Sequence, residues 1–112
     1  MVFMRIVLFA LTPIVLVCFT FSVEARNLSE SERYVCGWGS GIAGSAQSSK
    51  LAGVSRYAAR KQLQTRRFPQ QWMKVMALGI TEQTYDSRSR LKPKAIKKIY
   101  YDDCIRHELA RR

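Results

Sequence analysis

The sequence predicts an all-α fold, a small bundle of about four helices stapled by one disulfide between Cys36 and Cys104. Helix start and stop signals recur along the chain, and two cysteines remain once an N-terminal leader is set aside. Strand signals are weak: no segment alternates apolar and polar residues for long, and no Asn-Gly or Asp-Gly hairpin turn occurs.

The leader comes first. "MVFMR" is a short basic stretch, Ile6 to Val23 is almost wholly apolar, and "SVEA" offers Val23 and Ala25 at the −3 and −1 positions of a cleavage site. This is the layout of a secretory signal peptide over residues 1–25. The apolar run has 18 residues, so an uncleaved membrane anchor is the rival reading. Pro13 within the run and the small-residue end favour cleavage. Val17 and Phe19 flank Cys18 poorly for lipidation. Cleavage leaves residues 26–112, a single basic domain. A chain this short buries a modest core and gains from a staple. Cys36 and Cys104 stand 68 positions apart, and an even cysteine count in an exported chain reads as a disulfide.

The first helix opens at Ser29, with Glu32 three residues on as in a capping box, and runs toward Gly53. Gly53 suits the left-handed position that closes a helix, and Ser55 suits the N-cap of the next. The second helix spans about Arg56 to Arg67, with Arg56, Arg60 and Arg67 on one face and Tyr57, Ala58 and Leu63 inward. Pro69 suits the first position of a third helix. There Trp72, Val75, Met76, Gly79 and Ile80 form an apolar stripe at i, i+3, i+4, i+7 and i+8. Ser87 to Lys92 is a polar connector. Pro93 opens a fourth helix with Ile96, Ile99, Tyr100, Cys104 and Leu109 on its inner side.

"CGWGSGIAG" (Cys36 to Gly44) contains the dinucleotide-loop spelling at Gly39, Gly41 and Gly44. That chemistry needs a strand before, a helix after and an acid about 20 residues on. The residues at that distance are "ARKQLQ", and no acid occurs until Glu82, so no cofactor is expected. Spacing supplies another role. Gly37, Gly41, Gly44 and Ser48 fall on one face of a helix, a smooth stripe that would admit a bulky side chain (Trp72, Met76 or Tyr100) from a facing helix. A flexible loop over residues 37–45 is the alternative.

Asp103 and His107 share a helix face, but two ligands fall short of a metal site once Cys104 is bridged, so no metal is expected. No recognised catalytic spelling occurs and the few carboxylates are poorly placed for acid–base work, so the sequence predicts a protein that is not an enzyme. Charge is the remaining hint. The chain carries net +11, all of it in residues 50–112, where sixteen Lys or Arg face five Asp or Glu. Arg56, Arg60, Lys61, Arg66 and Arg67 cluster before Trp72, and Lys94, Lys97 and Lys98 precede Tyr100 and Tyr101. Arginines near aromatics grip phosphates and stack on rings, so these eight are the anion-binding candidates. A solvated surface around an aromatic core explains the same residues.

The succession of signal peptide, Cys36, an Ala/Gly-rich helix, "AGVS", a helix ending Thr84-Tyr85, Pro93 and Cys104 resembles small exported helical proteins of bacteria. The resemblance covers most of residues 34–105 and implies a periplasmic or secreted helical domain with a Cys36–Cys104 bridge, but no activity. The expected function is a non-enzymatic binding or accessory protein of the envelope, of immunity or inhibitor type, meeting an acidic protein or anionic envelope component. A secreted cationic effector acting on anionic membranes or nucleic acid is the alternative.

Overall fold

The capping box at Ser29 forms as the sequence requires. In the computed structural model, which describes residues 28–111, the Ser29 hydroxyl accepts from the Glu32 N–H while the Glu32 carboxylate accepts from the Ser29 N–H. Helix α1 follows over Glu30–Leu51, with Glu30 and Glu32 set against the positive end of its dipole. It ends at Gly53, whose φ of +85° is the left-handed conformation that glycine adopts without strain. Ser55 then caps α2, Arg56–Thr65, by accepting from the Ala58 N–H. Helices α3, Gln71–Asp86, and α4, Pro93–Ala110, complete a bundle with no strand among the described residues. The predicted leader, residues 1–25, lies outside the described residues. No described helix is long and apolar enough to cross a membrane.

Pro93 occupies the first turn of α4 as expected, but Pro69 does not open α3. Helix α2 stops at Thr65 rather than Arg67, and residues 66–70 make the reversal into α3. The reversal absorbs Pro69, whose ring also disfavours helical geometry at Phe68.

Helix α1 is the hub. It runs antiparallel to α4, since Cys36 meets Cys104 and Gln47 meets Leu91, and parallel to α3, since Trp38 meets Trp72 and Lys50 meets Thr84. Helix α2 packs antiparallel on α3, joined by the Arg56–Asp86 and Arg60–Glu82 ion pairs. The core is Ile42, Ala43, Ala77 and Ile80, with Trp38, Leu63, Phe68, Met76, Ile96 and Tyr100 packed around it. The disulfide has a Cα–Cα distance of 5.6 Å and closes a loop of 68 positions. Chain-entropy arguments assign such a loop about 4 kcal/mol of stabilisation.

"CGWGSGIAG" is helical throughout, but of the predicted stripe only Gly44 meets a close approach. A Cβ on Gly37 or Gly41 would meet nothing within 4 Å, and Ser48 is exposed. The close approaches are at Gly39 and Gly44. A Cβ on Gly39 would lie 2.8 Å from the Tyr100 ring and 3.1 Å from Met76 Cε, and one on Gly44 would lie 2.5 Å from Lys97 Cγ. Tyr100 and Met76 are therefore fillers, as expected, of a different glycine. The inward arc of α1 is Cys36, Gly39, Ser40, Ala43 and Gln47, turned by neighbours on two sides rather than one.

The same rotation appears elsewhere. Helix α3 buries Met73, Ala77, Ile80, Thr81 and Thr84, leaving Trp72, Val75 and Gly79 on the open side. Helix α2 buries Ala59 and holds Leu63 against the core, while Tyr57 is exposed. On α4, Ile96 and Tyr100 face inward, whereas Ile99 and Leu109 are exposed. Small residues such as Gly39, Ala43, Ala77 and Thr81 take inward positions beside Ile42, Met73 and Ile80, while other bulky residues line the edges.

Candidate functional site

Two polar side chains on α1 fix the connector between α3 and α4. Gln47 is fully buried and donates through Nε2 to the carbonyls of Ser89 (3.1 Å) and Leu91 (2.7 Å). One turn on, the Lys50 ammonium donates to the carbonyls of Thr84, Ser87 and Ser89 at 2.9 to 3.0 Å. Its three donors are thus all used, and its charge lies at the negative end of α3. Neither residue was visible as structural in the sequence, where Lys50 counted only as surface charge.

The eight predicted anion-binding residues separate into paired and unpaired groups. Arg56 bonds Glu82 and Asp86, and Arg60 bonds Glu82 through Nε at 2.7 Å. These two arginines brace α2 against α3 and are neutralised there. Lys98 pairs with Asp102 one turn along α4. Arg106 with Asp103 and Arg111 with Glu108 follow the same pattern. Every carboxylate after residue 50 is thereby engaged: Glu82, Asp86, Asp102, Asp103 and Glu108.

The remaining cations have no carboxylate partner among the described residues, and they gather in two places. One is the connector and the start of α4, with Arg88, Arg90, Lys92, Lys94 and Lys97, where the Lys97 stem covers Gly44. The other is the corner between α2 and α3. There Arg66 lies over the Phe68 ring at 5.0 Å and Arg67 is exposed, while Lys61 lies over Tyr57 at 5.8 Å further back along α2. Arg66, Arg67 and Phe68 share an open cavity of about 330 Å³ with Lys74, whose Nζ donates to the Gln64 carbonyl. Trp72 stands beside them, edge-on to Trp38 with ring centroids 5.6 Å apart, and Trp38 in turn meets Phe68 at 6.3 Å. Sequence reasoning named Arg66 and Arg67 but missed Lys74. The available signal was its place two residues after Trp72, in the first turn of a helix packed against α2.

A wider groove of about 780 Å³ runs between α3 and α4 and is lined by Met76, Gln83, Tyr100, Asp103, Cys104 and His107 among others. Cys104 has no free thiol to offer, because it is bonded to Cys36. Among the described residues no three His, Cys, Asp or Glu side chains gather as a metal set. Burial raises the Tyr100 phenol above its ordinary range, so it stays protonated to a higher pH than an exposed phenol.

The class this geometry defines is a small, basic, disulfide-bridged four-helix domain whose uncompensated charge sits at two corners. Compared with known proteins, the chain matches no family model, no curated protein and no solved structure.

Proposed function

We propose that this chain is a small exported, non-enzymatic binding or accessory protein of the bacterial envelope that recognises an acidic or phosphate-bearing partner through its basic surface. The observation that carries this reading is the segregation of charge. Each carboxylate after residue 50 is engaged by a neighbouring cation, so the excess of Lys and Arg is concentrated at the α2–α3 corner and the α3–α4 connector. Concentrated charge of one sign raises the local density of an oppositely charged partner. The Cys36–Cys104 bridge suits an oxidising compartment.

Retention of the oxidised protein on heparin tests the reading. Binding through several cations releases counterions, so affinity should fall linearly with log salt and with a slope that reports the number of contacts. Retention independent of salt removes the basic surface from the function. Cell fractionation separates the accessory role from the effector: recovery in the envelope supports the former, whereas release with killing of neighbouring cells replaces it by the latter.

A further inference from the structure

We propose that the α2–α3 corner docks on the surface of an anionic phospholipid bilayer, with Trp72 and Val75 entering the headgroup region and Arg66, Arg67 and Lys74 meeting lipid phosphates. This rests on the anion-binding reading above and names its partner. Trp72 is 41% exposed and Val75 62%, and they stand one turn apart on the open side of α3. The exposed parts of both side chains leave apolar area in water beside the cationic cavity. Indole is the side chain suited to the headgroup layer, apolar in body and polar at one edge. The three cations lack carboxylate partners among the described residues, so their charge is available to lipid phosphate. Arg66 lies on the Phe68 ring, an arrangement that leaves the in-plane donors of a guanidinium open to oxyanions.

Two features favour a bilayer over a nucleic acid. The exposed companion of Trp72 is aliphatic Val75, which offers no ring for a base to stack on. The corner also lies at the end of the bundle where α1 begins, since Trp72 packs on Trp38, two turns into α1. The apolar run Ile6 to Val23 ends seven positions before that helix starts. A chain held by that run presents this end to the bilayer, and a processed chain meets the bilayer through its charge.

Trp38 and Trp72 are the two tryptophans of the chain and they touch each other, so intrinsic fluorescence reports this corner alone. The full-length gene is expressed in an exporting host, and the N-terminal form recovered is identified by mass. The oxidised protein is then mixed with vesicles bearing brominated acyl chains, either phosphatidylcholine alone or with phosphatidylglycerol added. Bromine quenches an indole that enters the bilayer. Quenching is expected with phosphatidylglycerol, absent without it and reversed by salt. Each cation near an anionic surface contributes about 1 kcal/mol, or about fivefold. Arg66→Gln with Arg67→Gln should therefore weaken binding about 30-fold at low salt. Arg67→Gln alone, at an exposed side chain with no partner among the described residues, serves if the double variant fails to fold. In a form that keeps the apolar run, which contains no tryptophan, the same contrasts are read as the extent of quenching. No quenching with phosphatidylglycerol, equal quenching in neutral vesicles, or a fluorescence response to single-stranded oligonucleotide in place of vesicles overturns the proposal. Salt-sensitive heparin retention without quenching removes only the bilayer. Loss of both removes the anion-binding reading as well.

Discussion

Alanine at Gly39 and alanine at Gly41 should move stability in opposite directions, although the two sites are two residues apart in one helix. Alanine is better than glycine in a helix interior by about 1 kcal/mol. At Gly41 the new Cβ meets no atom within 4 Å, so most of that gain should appear as added stability. At Gly39 the Cβ would lie 2.8 Å from Tyr100 Cε1, 2.9 Å from its hydroxyl oxygen and 3.1 Å from Met76 Cε. Both side chains must shift, and Tyr100 is packed against the core. Overpacking of this kind costs about 1–3 kcal/mol, which exceeds the propensity gain. The expected difference between the variants is about 2 kcal/mol, or roughly 8–16 °C in Tm for a domain of this size. Gly44→Ala should also lose stability, because the new Cβ would lie 2.5 Å from Lys97 Cγ, a carbon near the backbone that moves only if the whole side chain changes rotamer. Thermal melts of the three oxidised variants by circular dichroism decide the matter. Equal shifts at Gly39 and Gly41 would refute the assignment of the close approach.

Lys50→Met should destabilise the protein by about 2 kcal/mol, since three carbonyls lose a charged donor and the end of α3 loses its counter-charge. Hydrogen exchange should show the loss first in residues 84–91, and unchanged protection there would contradict the bracing role. Burial raises the phenols of Tyr100 and Tyr85 above their ordinary value. The native state then holds these protons after the unfolded chain has released them. Their contribution is complete below the unfolded phenol pKa and falls away as pH rises through the folded values. Stability should therefore decline above about pH 10, and Tyr100→Phe should remove one late-titrating part of the 295 nm phenolate absorbance. An unchanged titration curve in that variant would show that Tyr100 is not the protected group.

Local signals carried the elements, and the inward faces escaped. Ser29 with Glu32, Gly53, Ser55 and Pro93 each act through their immediate neighbours, so their roles could be read one residue at a time. The pairing of Cys36 with Cys104 followed from there being two cysteines outside the predicted leader. Which side of a helix faces inward depends on where the other helices lie. The rule that bulky apolar residues go inside selected Trp72 and Val75, yet a helix gripped from two sides buries Ala77, Thr81 and Thr84. Thr84 is tolerated there because its hydroxyl donates to the Ile80 carbonyl of the previous turn. At the candidate site, the cluster before Trp72 was legible as composition. The removal of Arg56 and Arg60 from it was not, because that depends on Glu82 and Asp86, more than twenty residues downstream and brought close only by the α2–α3 reversal.

Helix α4 is the last of the described helices, and no residue along its length is fully buried. What holds it is a row of separate grips on α1: the Lys97 stem at Gly44, the Tyr100 ring at Gly39 and the bond from Cys104 to Cys36. The covalent grip sits near the far end from the connector that Gln47 and Lys50 secure. With both ends tethered, the middle of α4 meets α1 at a high effective concentration. The disulfide thereby works as a latch: reducing it would free the Cys104 end of α4 while Gln47 and Lys50 still hold the connector at the other end.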